Sequence, residues 1–289
     1  MEKLYIEQLY PGMILARSIF LGNGKILYPQ KTKLSKTEIH KFKEIRLPAV
    51  YITSIPDSVV PEPVSDTTRS ELTNVLTRVE NELRTGRKVN ISCCEDILAV
   101  MIDEILKTPM TLPVINDIRV LDDYLSSHTV NISISAVKVG LVYNYDCTKL
   151  LELALGAFLH DIGMTRIPAD IVNRIGGLTH EEVRTIQTHP KIGFDLLRPI
   201  ENIPKTTPQV AYQHHERYNG KGYPKKLAGT EILEYARIVA VVDALDAMIT
   251  EKIYRKAKPV PTAIQYLKSQ AGIEYDPRVV EAVAKIYGL

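Results

Sequence analysis

Six of the chain's seven histidines fall between positions 128 and 215, and most lie in segments that are otherwise apolar or helical. The set of interest is His128, His160-Asp161, His189, His214-His215 and, further on, Asp243. His180 has charged neighbours and reads as a surface residue. Any fold of this chain must find partners for these groups, because a buried polar or charged side chain without one is costly. Histidine and carboxylate together are the ligand chemistry of transition metals. Seven such groups are too many for one four-coordinate ion, so the set predicts two metals.

Composition narrows the class. A chain of 289 residues with 45% apolar content fits one large or two smaller domains with a sizeable core. The net charge of +2 gives no general affinity for a nucleic-acid polymer, while a local pocket for a small anion stays open. There is no apolar run of about 18 residues and no basic-then-apolar start. Neither a membrane span nor a signal peptide is therefore expected, and the chain reads as cytoplasmic. Cys93, Cys94 and Cys147 are too few for a disulfide framework, and the adjacent pair reads as two ordinary thiols.

The predicted fold is mainly α, with a small α+β domain first. In that domain, 1–55, the stretches Ile14 to Phe20 and Lys25 to Tyr28 flank Gly22-Asn23-Gly24 as a hairpin. Ser35 can cap a short helix through Ile45, and Val50 to Thr53 reads as a strand. Segment 56–115 opens with a linker holding Pro56, Pro61 and Pro63. Two amphipathic helices follow, one through Leu72, Val75, Val79 and Leu83 up to Gly86, the other through Ile97, Met101 and Ile105. They are either scaffold or a relaying, dimerising connector. Segment 116–289 reads as a helical bundle. Its helices are expected over about Leu121 to Tyr143, over Thr148 to Ile162 with Gly163 as the stop, and from Thr179, where Thr179 and Glu182 make a capping box and Pro190 breaks or kinks the helix at His189. Others are expected from Thr207-Pro208, over Ile232 to Ile249 and from Asp276-Pro277.

The individual placements support the metal reading. His128 lies in line with Ile132, Ala136 and Val139, on the core side of its helix. A lone histidine there is more often a hydrogen-bonded core residue, but similar placements recur. Asp161 closes an apolar helix, where the helix dipole favours cations and gives a carboxylate nothing. Asp243 and Asp246 interrupt an apolar run, which is costly without coordination or hydrogen bonds. Two metals suit phosphate-ester hydrolysis, since they lower the pKa of a bound water and align attacking and leaving oxygens. Nitrogen and oxygen ligands without thiolate favour iron or manganese over structural zinc. After the histidine pair, Glu216 to Pro224 forms a loop in which Tyr223 could stack a base and Lys221 or Arg217 meet phosphate. A plain solvated turn fits the same composition.

His160-Asp161 and Gly222-Tyr223-Pro224, with His189-Pro190 and His214-His215-Glu216 between them, resemble the HD-GYP branch of the HD phosphohydrolases over about 116–289. The resemblance implies an all-helical HD-type bundle and hydrolysis of cyclic di-GMP to linear pGpG or GMP. One divalent ion would take His128, His160, Asp161 and Asp243; the other would take His189, His214 and His215, with Asp161 bridging. A hydroxide between the metals would attack the phosphorus, which makes His160 and Asp161 catalytic. Gly222, Tyr223, Pro224, Lys221, Lys252 and Arg255 would contact substrate, and Asp246 would orient a ligand histidine. The GYP loop is also a candidate contact for protein partners, and a homodimer is compatible with the connector helices. The N-terminal segment, from Gly12-Met13 to about Ile52, is similar to a unit that often precedes this domain and is assigned a regulatory or assembly role.

This sequence departs from the family at several positions. Met164 stands where the family usually has a phosphate-binding lysine, with Arg166 as a nearby replacement cation. Asn219 replaces an aspartate before the GYP triplet, and Lys252-Ile253 replaces an arginine-proline pair. Tyr124 occupies the position of a glutamate found in three-metal members, which favours two metals here. Losing one charged hydrogen bond costs about 1.5–3 kcal/mol, enough to weaken turnover and leave the metal chemistry intact. The readings that compete with a cyclic di-GMP phosphodiesterase are an enzyme for another cyclic dinucleotide and a weakly active or inactive sensor or interaction module.

Overall fold

The computed structural model describes residues 2–21, 25–45, 47–53, 62–108, 124–172, 174, 176–250 and 257–289, with side chains from 127 onward in the helix that begins at 124. The N-terminal unit builds a small sheet. Strands β1 (Glu2–Tyr5) and β2 (Ile14–Leu15) flank β5 (Ala49–Thr53), both antiparallel, with Leu4 opposite Val50 and Leu15 opposite Ile52. A separate hairpin pairs β3 (Ile19–Phe20) with β4 (Ile26–Tyr28). The hairpin is the one expected, although its Gly22-Asn23-Gly24 turn lies outside the described residues. The stretch expected as one strand from Ile14 divides into β2 and β3, which belong to different sheets. Helix α1 (Lys36–Glu44) starts on the anticipated Ser35 cap, completed by Glu38 as a capping box. Ile6, Leu15, Leu34, Phe42 and Val50 fill a core of their own.

The helical body begins at Asp66. Helix α2 (Asp66–Thr85) stops at Gly86 and α3 (Ser92–Lys107) follows. Both pack into one core with α4 (Tyr124–Val142) and α5 (Cys147–Phe158), through Leu72, Val79, Met101, Ile134 and Phe158. They are scaffold helices of the body. Helix α4 is buried all round from His128 to Gly140, as a helix between two cores must be. Val130, Ile134 and Val137 face α2 and α3. Ile132, Ala136 and Val139 face a second core built by α10 (Glu234–Ile249), α11 (Val260–Ser269) and α12 (Pro277–Ile286).

Four shorter helices complete the body: α6 (Ala169–Val172), α7 (His180–Ile186), α8 (His189–Leu197) and α9 (Thr206–Gln213). The Thr179–Glu182 capping box starts α7, and Asp276 with Pro277 starts α12, both as expected. Three boundaries differ. Helix α5 ends at Phe158, so His160 and Asp161 occupy the turn before a 3-10 segment, Ile162–Arg166. The interruption expected at Pro190 is a full break rather than a kink, and it falls earlier than His189: α7 ends at Ile186 and the proline lies in the first turn of α8, where its missing N–H costs nothing. Helix α9 begins at Thr206 without a side-chain cap. The described residues contain no helix long and apolar enough to cross a membrane.

Candidate metal centre

Helix ends carry most of the site. His160 and Asp161 follow α5, His189 opens α8, and His214 and His215 follow α9, while His128 and Asp243 lie within α4 and α10. At each helix end the ring turns back on the chain. His160 Nδ1 donates to Ala157 O at 2.7 Å, His189 Nδ1 to Ile186 O at 2.7 Å, and His214 Nδ1 to Ala211 O at 2.9 Å. A carbonyl can only accept, so Nδ1 holds the proton and Nε2 presents a lone pair. His128 is fixed alike by a side chain, its Nδ1 donating to Asp246 Oδ2 at 2.6 Å. This is the orienting role expected of Asp246.

Those lone pairs converge on carboxylates. His189 Nε2 and His214 Nε2 lie 3.1 and 3.4 Å from Asp161 Oδ1, and 3.2 Å from each other. His160 Nε2 is 3.5 Å from Asp161 Oδ2, and His128 Nε2 is 3.2 Å from Asp243 Oδ1. With the proton on Nδ1 and none on Nε2, these are contacts between electron pairs. His160 Nε2 and Asp161 Oδ1 are buried with no hydrogen-bond partner among the described residues. Buried acceptors facing one another are costly unless a cation lies among them. The donor atoms form two groups, each within 4.8 Å: Asp161, His189, His214 and His215; and His128, His160 and Asp243. All seven residues singled out from the sequence meet here, and nitrogen and oxygen donors of this kind fit divalent metal ions.

The electrostatics agree. Burial alone would raise the Asp161 carboxyl, but His160, His189 and His214 outweigh it and hold the group well below the usual carboxylate range. Asp243 is lowered against burial in the same way, chiefly by His128. Burial lowers His214, and it drives His215 well below an ordinary histidine, with His214 and His189 adding to the effect. Burial also acts downward on His128, yet Asp246 and Asp243 outweigh it and push the ring up to about 10, so this ring takes a second proton, on Nε2 toward Asp243, unless a cation stands in that place. Both carboxylates are thus ionised, and the two coldest rings for a proton are adjacent to Asp161.

Gly163 explains the register of the turn. A Cβ there would lie 2.0 Å from His189 O and 2.6 Å from Gly193 N, both backbone atoms. Only a glycine lets the turn carrying His160 and Asp161 press against the start of α8. The glycine expected as a helix stop is therefore a contact point between two segments that carry donor side chains of the site.

The loop from Glu216 to Pro224 is built more tightly than its composition suggests. Glu216 is buried, and its carboxylate accepts from Lys225 N at 2.6 Å and Leu227 N at 3.1 Å. Sequence reasoning did not single it out as a functional residue; a glutamate directly after two ligand-type histidines was the available signal. At Gly222 a Cβ would meet Arg217 N at 2.2 Å and Glu216 Cα at 2.5 Å, so this glycine serves the loop's own closure. Tyr223, the candidate for stacking a base, has one face of its ring on His215, centroids 4.9 Å apart and planes 27° apart. Burial, with Asp161 and Asp243 adding to it, raises its phenol pKa, which places the hydroxyl within the field of the site. Pro224 is half-buried and Lys221 exposed, its backbone N–H held by Asn219 Oδ1 at 3.0 Å. Arg217 pairs with Glu274 at 3.0 Å. Arg166 donates to Leu83 O at 2.8 Å, which commits it to the end of α2 rather than to the place of the missing lysine. Lys252 and Arg255 lie outside the described residues. His180 is exposed, as expected.

The two histidine-carboxylate groups thus lie side by side, with Asp161 Oδ2 of one 3.5 Å from His160 Nε2 of the other. The family model described as HD domain matches residues 113–279. The chain belongs to the HD domain family. Among curated relatives, a cyclic di-GMP phosphodiesterase response regulator of Xanthomonas campestris is 39% identical over 138 residues, covering 47% of this chain and 36% of that protein. A cyclic di-GMP phosphodiesterase of Pseudomonas aeruginosa is 29% identical over 210 residues, 72% of this chain and 50% of the relative. A 3'3'-cGAMP-specific phosphodiesterase of Vibrio cholerae is 32% identical over 137 residues, 47% of this chain and 30% of the relative. The chain therefore spans about a third to a half of the length of these relatives. A solved HDG"Y"P protein from Bdellovibrio bacteriovorus shares the fold, with a TM-score of 0.60 at 18% identity, covering 100% of this chain and 99% of that one.

Proposed function

We propose that this HD domain protein is a cyclic di-GMP phosphodiesterase that uses two divalent metal ions and releases pGpG, GMP or both. The observation that carries the reading is the convergence of Nε2 lone pairs on Asp161, with each facing ring fixed by its Nδ1 bond. Asp161, His189, His214 and His215 would hold one ion; His128, His160 and Asp243 the other, with Asp161 Oδ2 turned toward them. Ions so held lower the pKa of a water and clamp phosphoryl oxygens in line. The chain's own part is to orient the donors, keep both aspartates ionised and exclude solvent from the buried rings. Iron, or manganese in its place, suits this donor set, which contains no thiolate among the described residues.

Within the same proposal Tyr223 and Lys221 form the substrate-facing rim with Gly222 and Pro224 shaping it, and Lys252 and Arg255 supply further phosphate contacts. The N-terminal unit, 1–55, is the regulatory or assembly part, segment 56–115 braces the catalytic domain, and 116–289 is that domain. The protein works in the cytoplasm, where the GYP loop can meet partner proteins and the chain can pair with a second copy. A 32% identical relative named for cyclic GMP-AMP supports a second reading in which the mixed dinucleotide is preferred.

The test is to purify the protein without oxygen, measure bound metal, and follow cyclic di-GMP by chromatography. Turnover in the wild type and its loss in His160→Ala support the proposal. Tight binding without turnover by fully metallated protein would make it a sensor, and turnover of cyclic GMP-AMP alone would select the second reading.

A further inference from the structure

Behind His128 a buried line of polar side chains leaves the site and ends in the N-terminal unit. Asp246 is 2% exposed in an apolar helix. Its Oδ2 accepts from His128 Nδ1, and its Oδ1 accepts from Asn131 Nδ2 at 3.1 Å. Asn131 Oδ1 in turn accepts from Arg69 Nη1 at 3.1 Å. Arg69 Nε lies 3.4 Å from Glu62 Oε2, and Glu62 Oε1 lies 3.8 Å from Arg17 Nε. The Arg17 guanidinium covers the Tyr51 ring of β5 at 4.3 Å. Arg17, Arg69, Asn131 and Asp246 are all buried.

The order of these groups has a direction. A guanidinium only donates and a carboxylate only accepts. Asn131 stands between them with an acceptor at one end and a donor at the other, so its orientation is forced. It then pins one oxygen of Asp246 and leaves the other for His128. Close by, the N-terminal unit has a second hold on α2: Ser18 Oγ donates to Asp66, the first residue of that helix, and accepts from Gln30 N at 2.8 Å. The unit thus grips α2 beside the arginine that points into the line.

We propose that Arg69 and Asn131 are positioning residues for His128, and that Glu62 and Arg17 carry the same line into the N-terminal unit, so that this unit sets how firmly the His128 group holds its ion. The proposal rests on the metal reading above. Partners behind a ligand histidine fix its orientation, and their loss typically weakens metal binding about 10–100-fold.

The experiment uses the full chain and Mn²⁺ as probe, titrated by electron paramagnetic resonance, with nitrogen-15 spectra of the imidazoles recorded on the metal-free protein. Asn131→Leu is expected to weaken one of two Mn²⁺ sites about 10–100-fold, to leave the other unchanged, and to shift the His128 Nδ1–H signal. Arg69→Met should do the same to a smaller degree, and Arg69→Lys should restore part of the loss. Glu62→Gln, which keeps the size of the side chain and one acceptor between the two arginines, should move both readouts in the same direction. Folded variants that bind both ions like the wild type with an unchanged His128 signal overturn the proposal. A wild type that takes up no Mn²⁺ overturns the metal reading instead, and the imidazole signals then decide the positioning role alone.

Discussion

The two ligand groups are neighbours built by different means. In the group of Asp161, His189, His214 and His215, the anchored rings are held by the carbonyl of the preceding turn, three residues back. The helix end supplies orphan carbonyls, and the histidine satisfies one while aiming Nε2 at the site. In the other group His160 follows that rule, but His128 is held by Asp246, 118 residues away. One arrangement is a local consequence of where helices stop. The other exists only after α2, α4 and α10 have packed. The first should therefore fail when helix ends are displaced, and the second when a remote side chain is changed.

Displacing the helix ends gives the largest expected effect. Gly163→Ala places a Cβ 2.0 Å from His189 O, so the turn or the start of α8 must move. Overpacking against backbone costs about 3 kcal/mol. Metal content measured after dialysis should fall at the backbone-anchored group, with turnover lost and the melting temperature lowered. A Gly163→Ala protein with both ions and full stability would show that the helix ends tolerate what the geometry forbids.

Changing the remote side chain comes next. Asp246→Asn keeps size but replaces one acceptor by a donor. Asn131 Nδ2 and His128 Nδ1 both need an acceptor there, so one contact must fail. The expected loss is about 10–100-fold in affinity at the His128 group alone, read by Mn²⁺ titration. Equal weakening at both groups would erase the difference between them.

The same division explains what was legible in the sequence. Caps are local, so Ser35, Thr179 with Glu182, and Asp276 with Pro277 were readable from the sequence. The residues of the two donor groups were readable because a polar group in an apolar segment needs a partner, whatever its geometry. The helical core was readable from the 3.6-residue repeat of α2 and α3. Contacts set by distant segments were not. Strand β1 needs β5, nearly fifty positions on, before it pairs at all. Helix α11 carries Ala263, Ile264 and Leu267 at helical spacing, but prolines at 259 and 261 masked it. The stacking of Tyr223 on His215 and the closure of the loop by Glu216 depend on tertiary approach, as does the whole line from Arg17 to Asp246. Gly163 was visible as a residue but not as a contact, because the backbone it touches belongs to another helix.

Arg166 gives the smallest effect and tests where the backbone-anchored group ends. It closes the 3-10 segment that follows His160-Asp161, and its guanidinium ties that segment to Leu83 O on α2. A charged hydrogen bond to a carbonyl contributes about 1.5–3 kcal/mol when buried, and Arg166 is exposed, so its removal should cost about 1 kcal/mol. Arg166→Ala is therefore expected to lower stability in urea by that amount and leave kcat/KM within about twofold, since a segment held at one end by Gly163 keeps its place. The opposite pattern, kcat/KM reduced tenfold or more with unchanged stability, would mean that the guanidinium leaves Leu83 for the substrate and fills the role vacated at Met164. The turn would then be part of the substrate site rather than only the seat of its ligands, and the boundary drawn between the two groups would have to move.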